Sequence, residues 1–220
     1  MRDTAAILVA GGKGLRFGGK IRKQYLTLQG RPIVLWSLRA FQRCLSIGEI
    51  ILVVPVKDVK FMQKRLKTVR LVGGGATRAE SVRKGLAQVS PQSRYVAVHD
   101  AVRPLVKPEE IENVIRAARI HKAALAASRS KDTVKLSDNK CVVRQTPRRE
   151  TVWLAQTPQV FERRLLERAH ARLDPTATDD AMLVERLGSQ VKLVETSAEN
   201  IKVTLPMDFK LAQHILATRR

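Results

Sequence analysis

Six consecutive apolar residues, Ala5-Ala-Ile-Leu-Val-Ala10, run straight into Gly11-Gly12-Lys13-Gly14. A run this short and this apolar reads as a strand buried on both faces, feeding a loop rather than a helix. Glycines at its end let backbone amides approach a ligand closely. Open α/β sheets carry their ligands at the carboxyl ends of such strands, so this opening favours that fold class over an all-helical or all-β one.

The rest of the chain continues the pattern. Pro32 suits the first position of a helix that carries Ile33, Trp36, Ser37, Ala40 and Phe41 at helical spacing, and a second strand follows at Ile50 to Val54. After Gly73-Gly74-Gly75, Thr77-Arg-Ala-Glu80 has capping-box spacing and opens a helix with Val82, Leu86 and Val89 on one face. Tyr95 to His99 is a further strand, ending at Asp100-Ala101-Val102-Arg103-Pro104, and a helix from Pro108 turns Ile111, Val114, Ile115 and Ala118 inward. Strands alternating with amphipathic helices predict an α/β, doubly wound, mostly parallel sheet, with both glycine loops and Asp100 on its ligand-bearing rim.

Residues 128–151 break the alternation. They are polar and basic, with a turn signal at Ser137-Asp138-Asn139 between Thr133-Val134-Lys135 and Cys141-Val142-Val143, which predicts a projecting β-hairpin arm. The tail resumes with a strand at Val191 to Val194, the segment Asn200-Ile-Lys-Val-Thr204, and a closing helix from Pro206 with Phe209, Ala212 and Leu216 inward. No internal repeat or low-complexity linker divides the 220 residues, so residues 1–220 are expected to form a single domain with 128–151 inserted in it as an arm.

Charge bounds the partners. The 41 Lys and Arg against 20 Asp and Glu leave a net charge of +21, a field that attracts polyanions. Aromatic residues make up only 4% of the chain, no zinc or RNA-binding motif is present, and the basic residues are spread along the sequence. Specific nucleic-acid recognition is therefore not expected, although a basic nucleic-acid-binding protein whose glycine loops are mere turns is the rival of another class. Cys44 and Cys141 match neither a metal-ligand nor a redox spacing, and no stretch has the length and apolarity of a membrane span or a signal segment. These features suit a cytoplasmic protein with no membrane partner.

Gly12-Lys-Gly14-Leu-Arg16, followed seven residues later by Lys23, has the chemistry of a phosphate clamp. Glycine amides approach the phosphate oxygens while Arg16 and Lys23 neutralise charge on a triphosphate. The Gly-Lys-Ser/Thr of a P-loop is absent, and Phe17 fills the third glycine position of a dinucleotide fingerprint, which argues against a nicotinamide enzyme. Asp100, at a strand end, can hold Mg²⁺ or a ribose hydroxyl. Strand alternation turns His99 to the opposite side, where it reads as a packed histidine and not as half of a catalytic dyad. Arg103, Arg149 and Lys202 are further cations near strand ends or the arm.

Several separated segments share their order and spacing with one family. Val9-Ala-Gly-Gly-Lys-Gly-Leu-Arg16, Lys23-Gln-Tyr25, Gly74-Gly75 followed by Arg78-Ala-Glu-Ser81, and Val98-His-Asp-Ala-Val-Arg-Pro104 lie in the first half. Gln156-Thr-Pro-Gln-Val-Phe161, Thr178-Asp-Asp180 and Asn200-Ile-Lys-Val-Thr204 lie in the second. Together they resemble the 2-C-methyl-D-erythritol 4-phosphate cytidylyltransferases of the non-mevalonate isoprenoid pathway, nearly end to end. The resemblance implies a nucleotidyltransferase (Rossmann-like) version of the doubly wound fold, a homodimer exchanging β-arms, and Mg²⁺-assisted in-line transfer of CMP from CTP to the polyol phosphate.

Residue by residue, the same resemblance implies that Ala10, Gly11, Gly12 and Gly14 hold the CTP phosphates and base, with Gly75, Ser81, Asp100 and Ala101 completing the nucleotide site. Arg16 and Lys23 would stabilise the transition state, and Lys202 would lie between both substrates. Asp100 would be the metal's protein ligand. Arg103, Thr133 and Thr157 would bind the polyol phosphate, and Arg149 would reach the neighbouring subunit's substrate. Ala76, where the family has an acidic residue, and Leu205, where it has arginine, depart from the pattern. The chemistry stands without a Ser, Cys or His nucleophile, because the attacking phosphate monoester is already anionic at neutral pH. Ribitol 5-phosphate cytidylyltransferase shares the implied fold and CTP loop and is the nearest alternative.

Overall fold

The computed structural model describes residues 1–12, 22–171, 174 and 176–219. Seven strands form one sheet: β1 (Thr4–Val9), β2 (Ile47–Val54), β3 (Arg70–Gly73), β4 (Tyr95–Asp100), β5 (Ala123–Arg129), β6 (Trp153–Glu162) and β7 (Lys192–Glu195). Their order across the sheet is β3-β2-β1-β4-β6-β5-β7. Neighbours are parallel except for β6, which runs antiparallel to both β4 and β5. The expected mostly parallel, doubly wound α/β sheet is therefore what forms.

Among the described residues there are seven α-helices: α1 (Ile33–Gln42), α2 (Val59–Gln63), α3 (Arg78–Leu86), α4 (Pro108–His121), α5 (Arg163–His170), α6 (Asp180–Glu185) and α7 (Pro206–Thr218). None of them is long and apolar enough to cross a membrane. Strand alternation divides the core in two. Ala6, Leu8, Leu52 and Val54 meet Val34, Phe41, Ile111 and Ile115 of α1 and α4 on one face. Ile7, Ile51, Val53 and Val98 meet Val82, Leu86, Leu166 and Val184 of α3, α5 and α6 on the other. With both faces packed, the central strands are apolar throughout, as the opening run Ala5 to Ala10 indicates. A third cluster, in which Val203 and Ala212 join Leu28, Ile33, Val102 and Leu105, docks α7, with Phe209 and Leu216 partly buried against it.

Some boundaries differ from the sequence reading. Residues 128–151 do contain a hairpin, but its strands are Leu136–Ser137 and Val143–Gln145 rather than Thr133 to Lys135 and Cys141 to Val143. Asp138 sets the register: its Oδ1 accepts from the amides of Lys140 and Val142 at 2.9 and 3.0 Å, and Cys141 adopts φ 60°. That side-chain turn moves the reversal towards the carboxyl side of the signal. The segment Asn200 to Thr204 forms no strand with the sheet, its Val203 amide bonding instead to the Val102 carbonyl at 2.9 Å.

The loop after β4, residues 100–104, is fixed from several directions. Thr157 Oγ1 accepts from the Asp100 amide at 3.1 Å and lies 3.0 Å from His99 Nδ1, while His99 Nε2 faces the Arg103 carbonyl at 3.3 Å. A neutral ring with its proton on Nε2 satisfies all three contacts. Ser37 Oγ sits 3.1 Å from the carbonyls of both Ala101 and Arg103. His99 is wholly buried against the Phe41 ring at 5.0 Å, as a packed histidine should be. Burial pushes its imidazole down to about 3 against the opposing pull of Asp100.

Because the folded value lies below the ordinary 6.5, the unfolded chain binds the extra proton as pH falls. The stability contributed by neutral His99 is complete above about pH 6.5 and is lost progressively as pH drops towards 3. Urea unfolding between pH 6.5 and 5, above the range of ordinary carboxylates, should therefore show stability falling by up to about 1.4 kcal/mol per unit. His99→Gln should flatten that slope; equal slopes in both proteins would show that another group is responsible.

Candidate active site

The carboxyl ends of β1, β2, β3 and β4 lie side by side, with Val9 in register with both Val53 and Asp100, and Val54 with Gly73. The strand order reverses between β1 and β4, which opens a crevice at their ends. A cavity of about 590 Å³ occupies it. Ala10, Gly11 and Gly12 form one wall, Gly74, Gly75 and Ser81 a second, and Asp100, Arg22, Lys23, Arg78 and Lys202 bring the charges.

Each wall has a local cause. Gln24, itself buried, donates to the Ala10 carbonyl at 2.8 Å and so ties the returning chain, with the Lys23–Tyr25 turn, to the end of β1. Thr77 caps α3 by accepting from the Glu80 amide at 3.1 Å, while the Glu80 carboxylate accepts from the Ala76 and Thr77 amides at 2.6 and 3.4 Å. This capping box draws Glu80 over Gly75, where a Cβ would come within 2.4 Å of the Glu80 side chain, so only glycine fits. Ser81 Oγ accepts from the Gly75 amide at 3.0 Å and donates to the Thr77 carbonyl at 2.9 Å. Its hydroxyl thus shapes the loop.

Asp100 is the electrostatic centre. Arg78 Nε reaches its Oδ1 at 3.0 Å, Lys202 Nζ its Oδ2 at 2.8 Å, and Arg103 Nε approaches to 4.0 Å. Burial opposes ionisation, but Arg78, Lys202 and Arg103 outweigh it and hold the carboxyl well below the usual carboxylate range. Arg78 also pairs with Asp180 at 2.8 Å, and Asp180 Oδ1 accepts from His170 Nε2 at 3.0 Å. Burial would lower the Arg78 guanidinium, yet Asp180 and Asp100 together raise it above the ordinary arginine value. Arg103 moves the other way, pushed down by burial against the attraction of Asp100.

Of the residues singled out from sequence, Ala10, Gly11, Gly12, Lys23, Gly75, Ser81, Asp100 and Lys202 come together around the cavity. Gly14 and Arg16 lie outside the described residues. Arg103 joins through Asp100, and Ala101 is buried in the loop. Thr157 is also buried, with its hydroxyl committed to Asp100 and His99, so it holds the loop and does not line the cavity. Thr133 and Arg149 are exposed and absent from the wall. Sequence reasoning missed Arg78 and Asp180 as site residues. Their signal lay in Thr178-Asp179-Asp180, where Asp179 suffices as the cap of α6, its Oδ1 accepting from the Met182 amide at 2.9 Å, and the second carboxylate needs another partner.

A divalent cation finds one carboxylate here. Asp100 is the sole acidic side chain on the cavity wall among the described residues, and no group of three or more His, Cys, Asp or Glu converges anywhere among them. That set fits Mg²⁺, which is held by one or two carboxylates plus phosphates and waters, better than a metal resident in an all-protein cage.

Known proteins share this fold and much of this sequence. The family model of 2-C-methyl-D-erythritol 4-phosphate cytidylyltransferase matches residues 4–218. Proteins of that name from Alkaliphilus oremlandii and Endomicrobium trichonymphae are 41% and 43% identical, over 99% and 97% of this chain and 96% and 98% of their own. The crystal structure of 4-diphosphocytidyl-2C-methyl-D-erythritol synthase from Anaerococcus prevotii superposes with a TM-score of 0.88 at 34% identity, covering 98% of this chain and 99% of that one. The Thermus thermophilus cytidylyltransferase gives 0.78 at 31% identity, covering 99% and 100%. The chain, with its doubly wound sheet and its cation-ringed carboxylate at the rim, belongs to the 2-C-methyl-D-erythritol 4-phosphate cytidylyltransferase family.

Proposed function

We propose that the chain transfers CMP from CTP to 2-C-methyl-D-erythritol 4-phosphate and releases pyrophosphate. The observation that carries this reading is the crevice itself: glycine-lined walls of nucleotide size, with Lys23 on the wall, and Arg78 and Lys202 paired with the buried carboxylate of Asp100. An oxygen of the acceptor phosphate forms a bond to the α-phosphorus, the bond from that phosphorus to the bridging oxygen of the β-phosphate breaks, and pyrophosphate leaves with the electron pair. No base is needed, because the attacking oxygen is already ionised.

What the reaction requires is relief of repulsion between two anions as charge builds in the pentavalent transition state. Lys23 and Lys202 provide it here, together with Arg16, and Ala10, Gly11, Gly12, Gly14 and Gly75 offer backbone to the nucleotide. Ala101 and Ser81 shape that nucleotide site. Asp100 would hold Mg²⁺, whose contribution is further charge neutralisation on the triphosphate. Arg103 supports the polyol phosphate, and Thr157 enters through Asp100 and the loop it holds.

The arm belongs to the same reading. Leu136, Val142 and Val143 on the hairpin are 48%, 51% and 54% exposed in one chain, apolar side chains that exchange between two copies would cover. Thr133 and Arg149, absent from the wall of their own cavity, would then serve the partner's. This makes the chain one domain with a dimerisation arm at 128–151. The two free cysteines, Cys44 buried and Cys141 exposed, suit a cytoplasmic enzyme.

A pyrophosphate-release assay with CTP and Mg²⁺, run in parallel on 2-C-methyl-D-erythritol 4-phosphate and ribitol 5-phosphate, should show turnover of the first. Turnover of ribitol phosphate alone would replace the acceptor assignment. Arg16→Ala, Lys23→Ala and Lys202→Ala should each lower kcat roughly a hundredfold to a thousandfold, by analogy with removal of one oxyanion donor, with the fold intact by circular dichroism. Near-normal rates would remove the clamp. In sedimentation, Val142→Asp with Val143→Asp should convert a dimer into monomers; an unchanged sedimentation coefficient would refute the arm's role.

A further inference from the structure

A second cavity, of about 470 Å³, lies between α1, the start of α4 and the end of α7. It shares no lining residue with the crevice at the sheet rim. Its volume falls in the range of small-molecule sites. Among the described residues four cations line it, Arg39, Arg43, Lys107 and Arg219, and no carboxylate does. Glu199 engages two of them, at 4.0 Å from Lys107 and 2.7 Å from Arg219. Neither Arg39 nor Arg43 pairs with a carboxylate within 4.0 Å among the described residues.

The remainder of the lining is mostly apolar. Trp36, Arg39, Ala40 and Arg43 fall at i, i+3, i+4 and i+7, so α1 turns one face into the cavity with hydrocarbon and cations side by side. Trp36 gives its indole N–H to the Leu28 carbonyl at 2.8 Å and lies 5.0 Å from the Arg31 guanidinium, so what it offers a ligand is apolar ring surface. Pro104, Val106 and Leu216 extend that surface. Bare phosphate would leave this surface unused, and a neutral hydrocarbon would leave the arginines without partners.

We propose that this cavity is a binding site for a small organic phosphate with a hydrocarbon body, its head held by Arg39 and Arg43 and its body laid against Trp36, Ala40 and Leu216. Guanidinium forks match phosphate oxygens, and burial of the chain supplies the remaining affinity. The site is distinct from the CTP crevice and stands whatever acceptor that crevice takes. It does abut the catalytic loop, since Pro104 follows Arg103 directly and Ser37, next to Trp36, holds the carbonyls of Ala101 and Arg103.

Tryptophan fluorescence of the full chain, titrated with octyl phosphate below its aggregation concentration, tests this. Saturable binding should be at least tenfold tighter than for inorganic phosphate or 1-octanol, and should persist in saturating CTP. Arg39→Ala with Arg43→Ala, both exposed positions, should weaken it at least tenfold. Trp36→Phe should abolish the signal while Trp153→Phe keeps it. The proposal is overturned by an absence of saturation, by equal affinity in the double arginine variant, or by displacement with CTP.

Discussion

The buried carboxylate of Asp100 is the constraint on which the active site depends. At 6% exposure it could not remain ionised alone, because removing a charge from water costs several kcal/mol. Arg78, Lys202 and Arg103 supply the compensation, and each is thereby drawn to the rim of the sheet. Asp180 and His170 extend the arrangement into the core and keep Arg78 from swinging into the cavity as a free charge. The same interactions therefore solve a folding problem and concentrate positive charge where anions must enter.

Holding that carboxylate in place falls to groups that do not line the cavity. Thr157, His99 and Ser37 hold the Asp100–Arg103 loop through backbone atoms, and the neutrality of His99 keeps a further positive charge out of the core beneath it. Thr157 comes from β6, the one antiparallel strand of the sheet. Its ten residues run on past the six of β4, so a mid-strand side chain lies beside the carboxyl end of β4.

Legibility in the sequence followed locality. The strand into Gly11-Gly12, the capping box at Thr77 and the helix from Pro108 are each written in a few adjacent residues, and all three formed. What the sequence did not disclose depends on contacts across the sheet. β6 mixes Gln156, Thr157 and Gln159 into an otherwise apolar strand because those side chains are buried in a polar network with Asn200 and Asp179. Arg78 and Asp180 lie 102 positions apart, so neither announced the other. The hairpin register failed for the opposite reason: a single local side chain, Asp138, outweighed the averaged turn signal.

Lys202 is the most exposed of the three cations around Asp100, at 37% of its side chain against 27% for Arg78 and 12% for Arg103, and so the one best placed to exchange a carboxylate for a phosphate. A crystal structure of the complex with Mg²⁺, a non-hydrolysable CTP analogue and 2-C-methyl-D-erythritol 4-phosphate measures that exchange directly. Lys202 Nζ should lie within hydrogen-bond distance of phosphate oxygens from both substrates, with Lys23 on the same triphosphate. Lys202 still bound to Asp100, with the two phosphates seated elsewhere, would contradict it.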